Sequence, residues 1–147
     1  MAKSDLSSAL PKAKNISARL NSATDALNSV VVAAEEAIAA LKLGVPGYVA
    51  MRTDSDPSVD WERGLSFRRE GKVWKLFVES GPSGDPDNTS QTPLTNCSRD
   101  TRLEAVDLLP ALVENMIETA EREVSEVETK TERVLQFIAQ LSAQKAK

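Results

Sequence analysis

Two heptad repeats, one at each end of the chain, restrict the fold more than any other feature of the sequence. In the first third, apolar residues recur every seven positions, and a second apolar series follows three residues behind. The last third repeats the first of these series without interruption and the second only in part. Such a period is typical of long amphipathic helices that pack along a narrow seam. The sequence therefore predicts a long helix at each end and a different structure between them.

The first helix is predicted over residues 11–43. Pro11 is tolerated in a first helical turn but not in a helix interior, so we expect the helix to begin there, with Ser7 or Ser8 as its cap. Gly44 and Pro46 are typical of residues that follow a helix. The predicted seam comprises Leu6, Ala13, Leu20, Leu27, Ala34 and Leu41, with Ala9, Ile16, Ala23, Val30 and Ala37 three residues later.

The second helix is predicted over residues 98–143. Either Ser98, or Thr101 together with Glu104, is suited to cap its start. Pro110 lacks an N–H group, so we expect it to kink this helix or to split it in two. The predicted seam comprises Val106, Val113, Ala120, Val127, Val134 and Leu141. Leu109, Met116 and Phe137 join it at the second core position, where Glu123 and Lys130 interrupt the series, and Ile117, Val124, Thr131 and Ile138 fill the neighbouring position instead.

The middle of the chain, residues 45–79, is predicted to form a three-stranded antiparallel sheet. Its strands are Val45–Arg52, Trp61–Arg69 and Lys72–Glu79, and the last two form a hairpin around Glu70 and Gly71. That hairpin places Phe67 opposite Trp74, on an apolar face expected to pack on the second helix near Leu109–Ile117. A second, more exposed face is predicted for Ser66, Arg68, Val73, Lys75 and Phe77.

Residues 80–97 are rich in Gly, Pro, Ser, Asn and Asp and have no apolar period, which predicts a flexible loop. The whole chain, residues 1–147, is then a single domain of the α+β class, mainly helical, in which the two helices flank the sheet. We expect the helices to pair with each other in antiparallel orientation, because their heptad seams are the longest apolar surfaces in the chain.

Composition excludes several classes of function. There is no histidine, which removes the commonest general base and most catalytic zinc sites, so the chain is predicted not to be an enzyme and to bind no cofactor or metal. The formal net charge of −4 disfavours a nucleic-acid binder. Cys97 is the single cysteine, so no disulfide can form within the chain. With no signal sequence or membrane-spanning stretch recognised, a cytoplasmic location is expected.

Weaker signals for chemistry each have an ordinary structural explanation. Cys97 precedes a predicted helix N-terminus, where a thiol pKa can fall, but an inert loop cysteine is the simpler interpretation. The carboxylates of Glu114, Glu118 and Glu121 lack the partners of a di-metal site and indicate a solvated acidic face. The acidic residues of the 80–97 loop lack the spacing of a calcium loop.

A basic hairpin is the most distinctive local feature. Trp61 begins the first strand of this hairpin. Together with Trp61, four basic residues of the hairpin are predicted to bind a partner protein: Arg68, Arg69, Lys72 and Lys75. Alternatively, the basic stretch Arg63–Lys75 grips a phosphate backbone, or its charges only protect the sheet from edge-to-edge pairing.

The heptad stripes are wider than one helix pair can cover, which predicts a homodimer or higher oligomer. The residues expected at that interface are Leu20, Leu27, Val30, Val127, Val134 and Leu141. The sequence thus predicts a non-enzymatic protein-interaction module, acting as an adaptor, inhibitor or assembly component in the form of a helical-bundle oligomer. The alternatives are a nucleic-acid-associated protein and a small-molecule sensor with a pocket between the sheet and the helices.

Overall fold

The N-terminal third forms a single helix, α1 (Ala2–Ala40), in the computed structural model, which describes residues 2–51 and 61–145, with side chains from residue 6 onward. The predicted start at Pro11, with a serine cap before it, is wrong because α1 runs through Pro11. A proline in a helix interior removes one backbone donor and crowds the carbonyl group four residues before it, but Pro11 lies on an exposed part of the helix among helix-favouring residues that continue it on both sides. The helix ends at Ala40, and Lys42 and Gly44 follow with φ of 54° and 66°.

The C-terminal helix, α2 (Arg99–Lys145), begins at the predicted cap. The backbone N–H of Thr101 donates to Ser98 Oγ at 3.3 Å, so Ser98 is the N-cap. Thr101 instead uses its own hydroxyl oxygen to accept a hydrogen bond from Arg63 at 2.9 Å. The helix is continuous through Pro110, so the prediction that it splits there is wrong. The predicted kink at Pro110 remains a prediction.

The sheet has four antiparallel strands, not the three predicted from the sequence. They follow one another in space as they do in the chain: β1 (Gly47–Ala50), β2 (Trp61–Glu70), β3 (Val73–Pro82) and β4 (Ser90–Pro93). The extra strand, β4, lies inside the segment 80–97 that the sequence predicts to be a flexible loop, and it pairs with the end of β3. Its sequence, SQTP, has no apolar alternation, so periodicity alone does not reveal it.

The connection between β3 and β4 is held by hydrogen bonds rather than being an open loop. Asp85 accepts from Asn88 Nδ2 at 2.6 Å, and its backbone carbonyl accepts from Thr89 Oγ1 at 2.9 Å. Ser90 Oγ donates to the carbonyl oxygen of Ser80 at 3.1 Å. Short polar side chains that bond to nearby backbone therefore order this segment without an apolar core.

The β2–β3 hairpin has a different register from the predicted one. Its two-residue turn is Gly71 and Lys72, and the positive φ of Gly71, 63°, fits a turn in which glycine takes the first central position. Phe67 pairs with Leu76, two residues beyond the predicted Trp74. A two-residue shift keeps every side chain on its predicted face. Phe67 and Trp74 still stack diagonally, with ring centroids 5.5 Å apart.

One face of the sheet, called the inner face here, carries the hydrophobic core. Leu65, Phe67 and Leu76 pack there against Leu112 and Met116 of α2, which confirms the predicted contact between the apolar face and this part of the helix. The outer face is less exposed than predicted. Ser66 and Phe77 are buried on it, because neighbouring strands place Tyr48 beside Ser66 and Pro93 beside Phe77.

The two helices do not form the predicted antiparallel pair. Near its start, α2 places Arg102 against Asn28 of α1, to which Arg102 donates a hydrogen bond. Further along both helices, Ile38 and Met116 line the same cavity. From the first of these contacts to the second, the residue numbers rise in both helices. The helices α1 and α2 therefore run in the same direction where they lie beside each other. The earlier part of α1 and the later part of α2 therefore project from opposite ends of the folded centre.

Each helix also occupies one outward-facing backbone donor of the sheet with a single side chain. On one side, Glu35 of α1 accepts a hydrogen bond from the backbone N–H of Leu76 at 3.0 Å, on the part of β3 that β4 does not reach. On the other side, Asn115 of α2 accepts from the backbone N–H of Tyr48 in β1, also at 3.0 Å. Outward-facing strand donors are thereby satisfied without a further strand.

Candidate interaction surfaces

Two projecting stretches of helix present the largest apolar surface that the structure describes. We call residues 6–30 the α1 arm and residues 117–145 the α2 arm. Both expose most of their large apolar side chains, and every residue from 121 to 145 is exposed. The exposed fractions of large side chains that face solvent in the arms run from 42% to 63%: Leu6, Leu10, Ile16, Leu20, Val30, Ile117, Val124, Val127, Val134, Leu135, Phe137, Ile138 and Leu141.

Five of the six residues predicted at an oligomer interface lie exposed in these arms. They are Leu20, Val30, Val127, Val134 and Leu141. The sixth, Leu27, is half-buried near the folded centre, beside Asn28 and its contact with Arg102. These residues are thus divided between two arms that do not meet within the chain, and their role at an interface stays a prediction.

The arms carry opposite net charge. The α1 arm has three basic residues and one acidic residue, which give +2, while the α2 arm has six acidic and four basic residues, which give −2. Within the α2 arm, two of these opposite charges already neutralise each other, since Lys130 and Glu126 form an ion pair with an N–O distance of 2.8 Å. That contact lowers the pKa of Glu126 and raises the pKa of Lys130, mainly through their hydrogen bond. The remaining charges give each arm its own sign.

The predicted basic hairpin is brought together only in part. Arg68 and Lys75 are cross-strand neighbours on the outer face, whereas Arg69 points to the other face, opposite Trp74. Both outer cations are already paired with carboxylates: Glu79 forms an ion pair with Arg68, and the carboxylate of Glu70 lies 3.8 Å from the Lys75 ammonium group. Arg69, Lys72 and Val73 form the exposed end of the hairpin, which we call the hairpin tip.

Trp61 does not belong to the same surface as the hairpin tip. It starts β2, whereas the tip follows the end of that strand, about 30 Å away at the usual rise of a strand. Its indole N–H donates to Ser80 Oγ at 2.7 Å, and 43% of the side chain is exposed. Arg63, also predicted near the tip, instead contacts Thr101 and lies 3.7 Å from Glu104 of α2. Arg52, the last residue of the first predicted strand, lies outside the described residues.

Sequence reasoning overlooked a cavity on the outer face. It has a volume of about 260 Å³ and is lined by Tyr48, Glu62, Arg68 and Glu79, with the β3–β4 connection on its far side. The ring of Tyr48 lies across Gly64, where a Cβ atom would stand 2.3 Å from the ring. Burial, followed by the charges of Glu62 and Glu79, raises the pKa of Tyr48. Glycine within a strand is the sequence signal for such a close approach.

Cys97 is half-buried just before α2, and its thiol lies 3.5 Å from the carbonyl oxygen of Pro93. Burial raises the pKa of this thiol, and the nearby charges of Arg63 and Arg102 only partly oppose the effect. A raised pKa leaves less of the nucleophilic thiolate at neutral pH. The geometry is that of a weakly reactive cysteine.

Metal-binding and membrane-spanning features are not found in the described part of the chain. Glu114, Glu118 and Glu121 are all exposed, and no three acidic or cysteine side chains come together as metal ligands within residues 6–51 and 61–145. Neither α1 nor α2, as far as each is described, has a stretch apolar enough to cross a bilayer.

Comparisons with protein-family models, with curated proteins and with solved structures give no match to this chain.

Proposed function

We propose that this protein is a non-enzymatic interaction module, which assembles into a helical-bundle oligomer through its two arms and presents its sheet to a partner protein. The observation that carries this proposal is the exposure of apolar heptad residues along both arms. Amphipathic helices normally bury such a stripe, and contiguous exposed apolar surface is typical of an interface. An adaptor, inhibitor or assembly component would use this arrangement.

The stability of the arms themselves supports assembly. Each arm extends about 36 Å or more at 1.5 Å per residue, and most of it makes no contact with the folded centre. Isolated helices are marginal in water, because most helical stability in proteins comes from burying the apolar face. Contact with another chain would supply that burial, at roughly 25 cal/mol for each Å² of apolar surface removed from water.

Light scattering after size exclusion, over a hundredfold range of protein concentration, tests the assembly. We expect the unmodified chain to be an oligomer and Val134→Glu to be monomeric at low concentration. An unpaired charge placed in an apolar seam costs about 3 kcal/mol, which weakens association roughly a hundredfold. Gln136→Glu adds the same charge two residues away, off the stripe, and should leave the oligomer intact. A monomer at every concentration for the unmodified chain would contradict the proposal.

The hairpin tip is the proposed contact for the partner protein. Lys72 is exposed in the turn, whereas reversing Arg68 would also leave Glu79 without its cation. Lys72→Glu therefore tests the surface without disturbing the sheet. We expect this variant to lose a partner that the unmodified protein retains after nuclease treatment. A partner that nuclease removes would instead favour the nucleic-acid alternative, although two of the four hairpin cations are already paired with carboxylates.

A second candidate, the small-molecule sensor, has one specific observation in its favour. A cavity of about 260 Å³ lies between the end of α1 and the inner face of the sheet, lined by Ile38, Val45, Phe67, Trp74 and Met116. Its lining is mostly apolar, as in many ligand sites, though its volume is slightly below their usual range. A ligand-dependent rise in melting temperature, lost in Val45→Phe, would support this function. No rise with a panel of small apolar compounds would count against it.

A further inference from the structure

We infer that two copies of this chain pair their unlike arms: the α1 arm of each copy lies antiparallel against the α2 arm of the other. This inference rests on the proposed function, since it specifies how the proposed oligomer is built. It follows from the direction of the helices, from the spacing of the exposed apolar residues and from the charge of the arms.

The direction of the helices makes this pairing a closed one. Within one chain α1 and α2 run in the same direction, and their arms leave opposite ends of the folded centre. A twofold axis perpendicular to the helices reverses one copy. Each α2 arm then lies beside the partner's α1 arm, in antiparallel orientation, at both ends of the assembly. The two folded centres meet side by side, and no arm is left for a third copy.

The exposed residues of the two arms match in spacing. In the α2 arm the continuous stripe consists of two positions three residues apart, beginning with Ile117 and Ala120 and repeating every seven residues. In antiparallel coiled coils, the first core position of one helix meets the second core position of the other. Placing Leu6 beside Leu141 then brings Leu20 beside Val127 and Val30 beside Ile117. Intermediate heptad positions fall into the same register, in which Thr131, beside Ile16, is the one polar residue of the seam.

This register also uses the full length of both arms. Leu6 to Val30 and Ile117 to Leu141 cover the same number of residues, so both arms span about 36 Å. A shift by one heptad in either direction leaves apolar residues unpaired at one end. Side-chain sizes are compatible as well, because four of the eight pairs set an alanine against a larger side chain, as where Ala23 meets Val124 and Leu27 meets Ala120.

Exposed apolar residues outside the two core positions are also paired in this register. Leu10 and Leu135, each more than half exposed, occupy the same flanking position and lie next to each other across the seam. Phe137, 58% exposed, falls next to Lys12 on the other flank, where the lysine stem can cover the ring. Within residues 6–30 and 117–145, the register therefore gives each large exposed apolar side chain a neighbour.

Charge favours unlike arms over like arms. Pairing the α1 arm with the α2 arm joins a segment of net charge +2 to one of −2, whereas two α2 arms would bring together twelve acidic and eight basic residues. Charge complementarity mainly selects between competing partners. Here it selects against the homotypic pairs that the apolar pattern alone would allow.

Disulfide trapping between singly substituted chains tests this arrangement. Cys97→Ser removes the native thiol, and Leu20→Cys and Val127→Cys are then introduced into separate chains, one of them carrying an affinity tag. After mixing and mild oxidation, we expect a covalent heterodimer of the two variants. Leu20→Cys mixed with Val134→Cys, one heptad or about 10 Å out of register, should give little product, because a disulfide requires Cα atoms within about 7 Å.

The outcomes separate this inference from the proposed function. An oligomer by light scattering whose Leu20→Cys and Val127→Cys chains do not cross-link, or in which either variant cross-links mainly to itself, would overturn the unlike-arm pairing and leave the proposed oligomer standing. A monomer at every concentration would overturn both. Cross-linking of the matched pair, with little product from the pair shifted by one heptad, would establish the register.

Discussion

Replacing Gly64 by alanine should destabilise the protein, although the same change in an ordinary strand is favourable. Glycine within a strand is less stable than alanine by roughly 0.5–1 kcal/mol, because the unfolded chain loses more freedom on folding. Here the added Cβ would lie 2.3 Å from Cε2, Cζ and Oη of Tyr48. Ordinary contacts begin near 3.5 Å, so the ring must move by more than 1 Å.

The expected size follows from these two opposing effects. Overpacking of this kind costs about 1–3 kcal/mol, so the net loss for Gly64→Ala is about 1–2 kcal/mol after the intrinsic gain of alanine. In a Tyr48→Ala background the obstacle is absent, and the same substitution should stabilise the protein by up to about 1 kcal/mol. The change in sign gives a coupling energy of about 2 kcal/mol between the two positions.

Urea unfolding, followed by the fluorescence of Trp61 and Trp74 at one fixed protein concentration, measures all four members of this cycle. The concentration is held constant because the stability of an assembling protein depends on it. If Gly64→Ala is neutral or stabilising while Tyr48 is present, the ring does not lie across Gly64 and the reasoning fails. Equal effects in both backgrounds would refute it in the same way.

Three further predictions test separate features. The raised pKa of Cys97 should make its thiol react with alkylating reagents more slowly at pH 8 than a free cysteine, and a rate equal to that of the unfolded protein would contradict this. Ser98→Ala should lower the free energy of unfolding by about 1 kcal/mol through loss of the cap, whereas Ser98→Asp should restore it. Glu35→Ala should leave the N–H of Leu76 without its acceptor and lower the free energy of unfolding in urea by about 1–2 kcal/mol. Glu35→Gln keeps an acceptor oxygen and should lower it much less.

The helices and the hairpin could be predicted because their signals are periodic. Heptads locate α1 and α2, and alternation assigns Phe67 and Trp74 to the same face even when the register is off by two residues. In contrast, β4 is ordered by single hydrogen bonds from Ser90 and Gln91, and bonds of that kind leave no period in the sequence. The alternation of apolar residues predicts which side chains share a face of the sheet, but it does not predict which segment of the chain forms a fourth strand.

The relative direction of the helices was also beyond sequence reasoning. A heptad pattern predicts that an apolar seam packs against another element, but it does not identify that element or the direction in which it runs. The short connection after α1 and the sheet between the helices set their direction instead, as the Asn28–Arg102 contact shows. The prediction of a single basic surface on the hairpin is wrong for a related reason. Residues adjacent in sequence, such as Arg68 and Arg69, point to opposite faces of a strand.

The two helix side chains that bond to outward-facing strand donors also limit where a partner can pair with the sheet. Many proteins bind an extended peptide by letting it join a sheet as one more strand, so that its backbone provides the affinity. Here the outward donors of Tyr48 and Leu76 are already occupied by Asn115 and Glu35, which belong to the helices. A peptide would have to displace a helix side chain before it could pair at either position. At these two positions a partner would therefore contact side chains rather than free backbone donors.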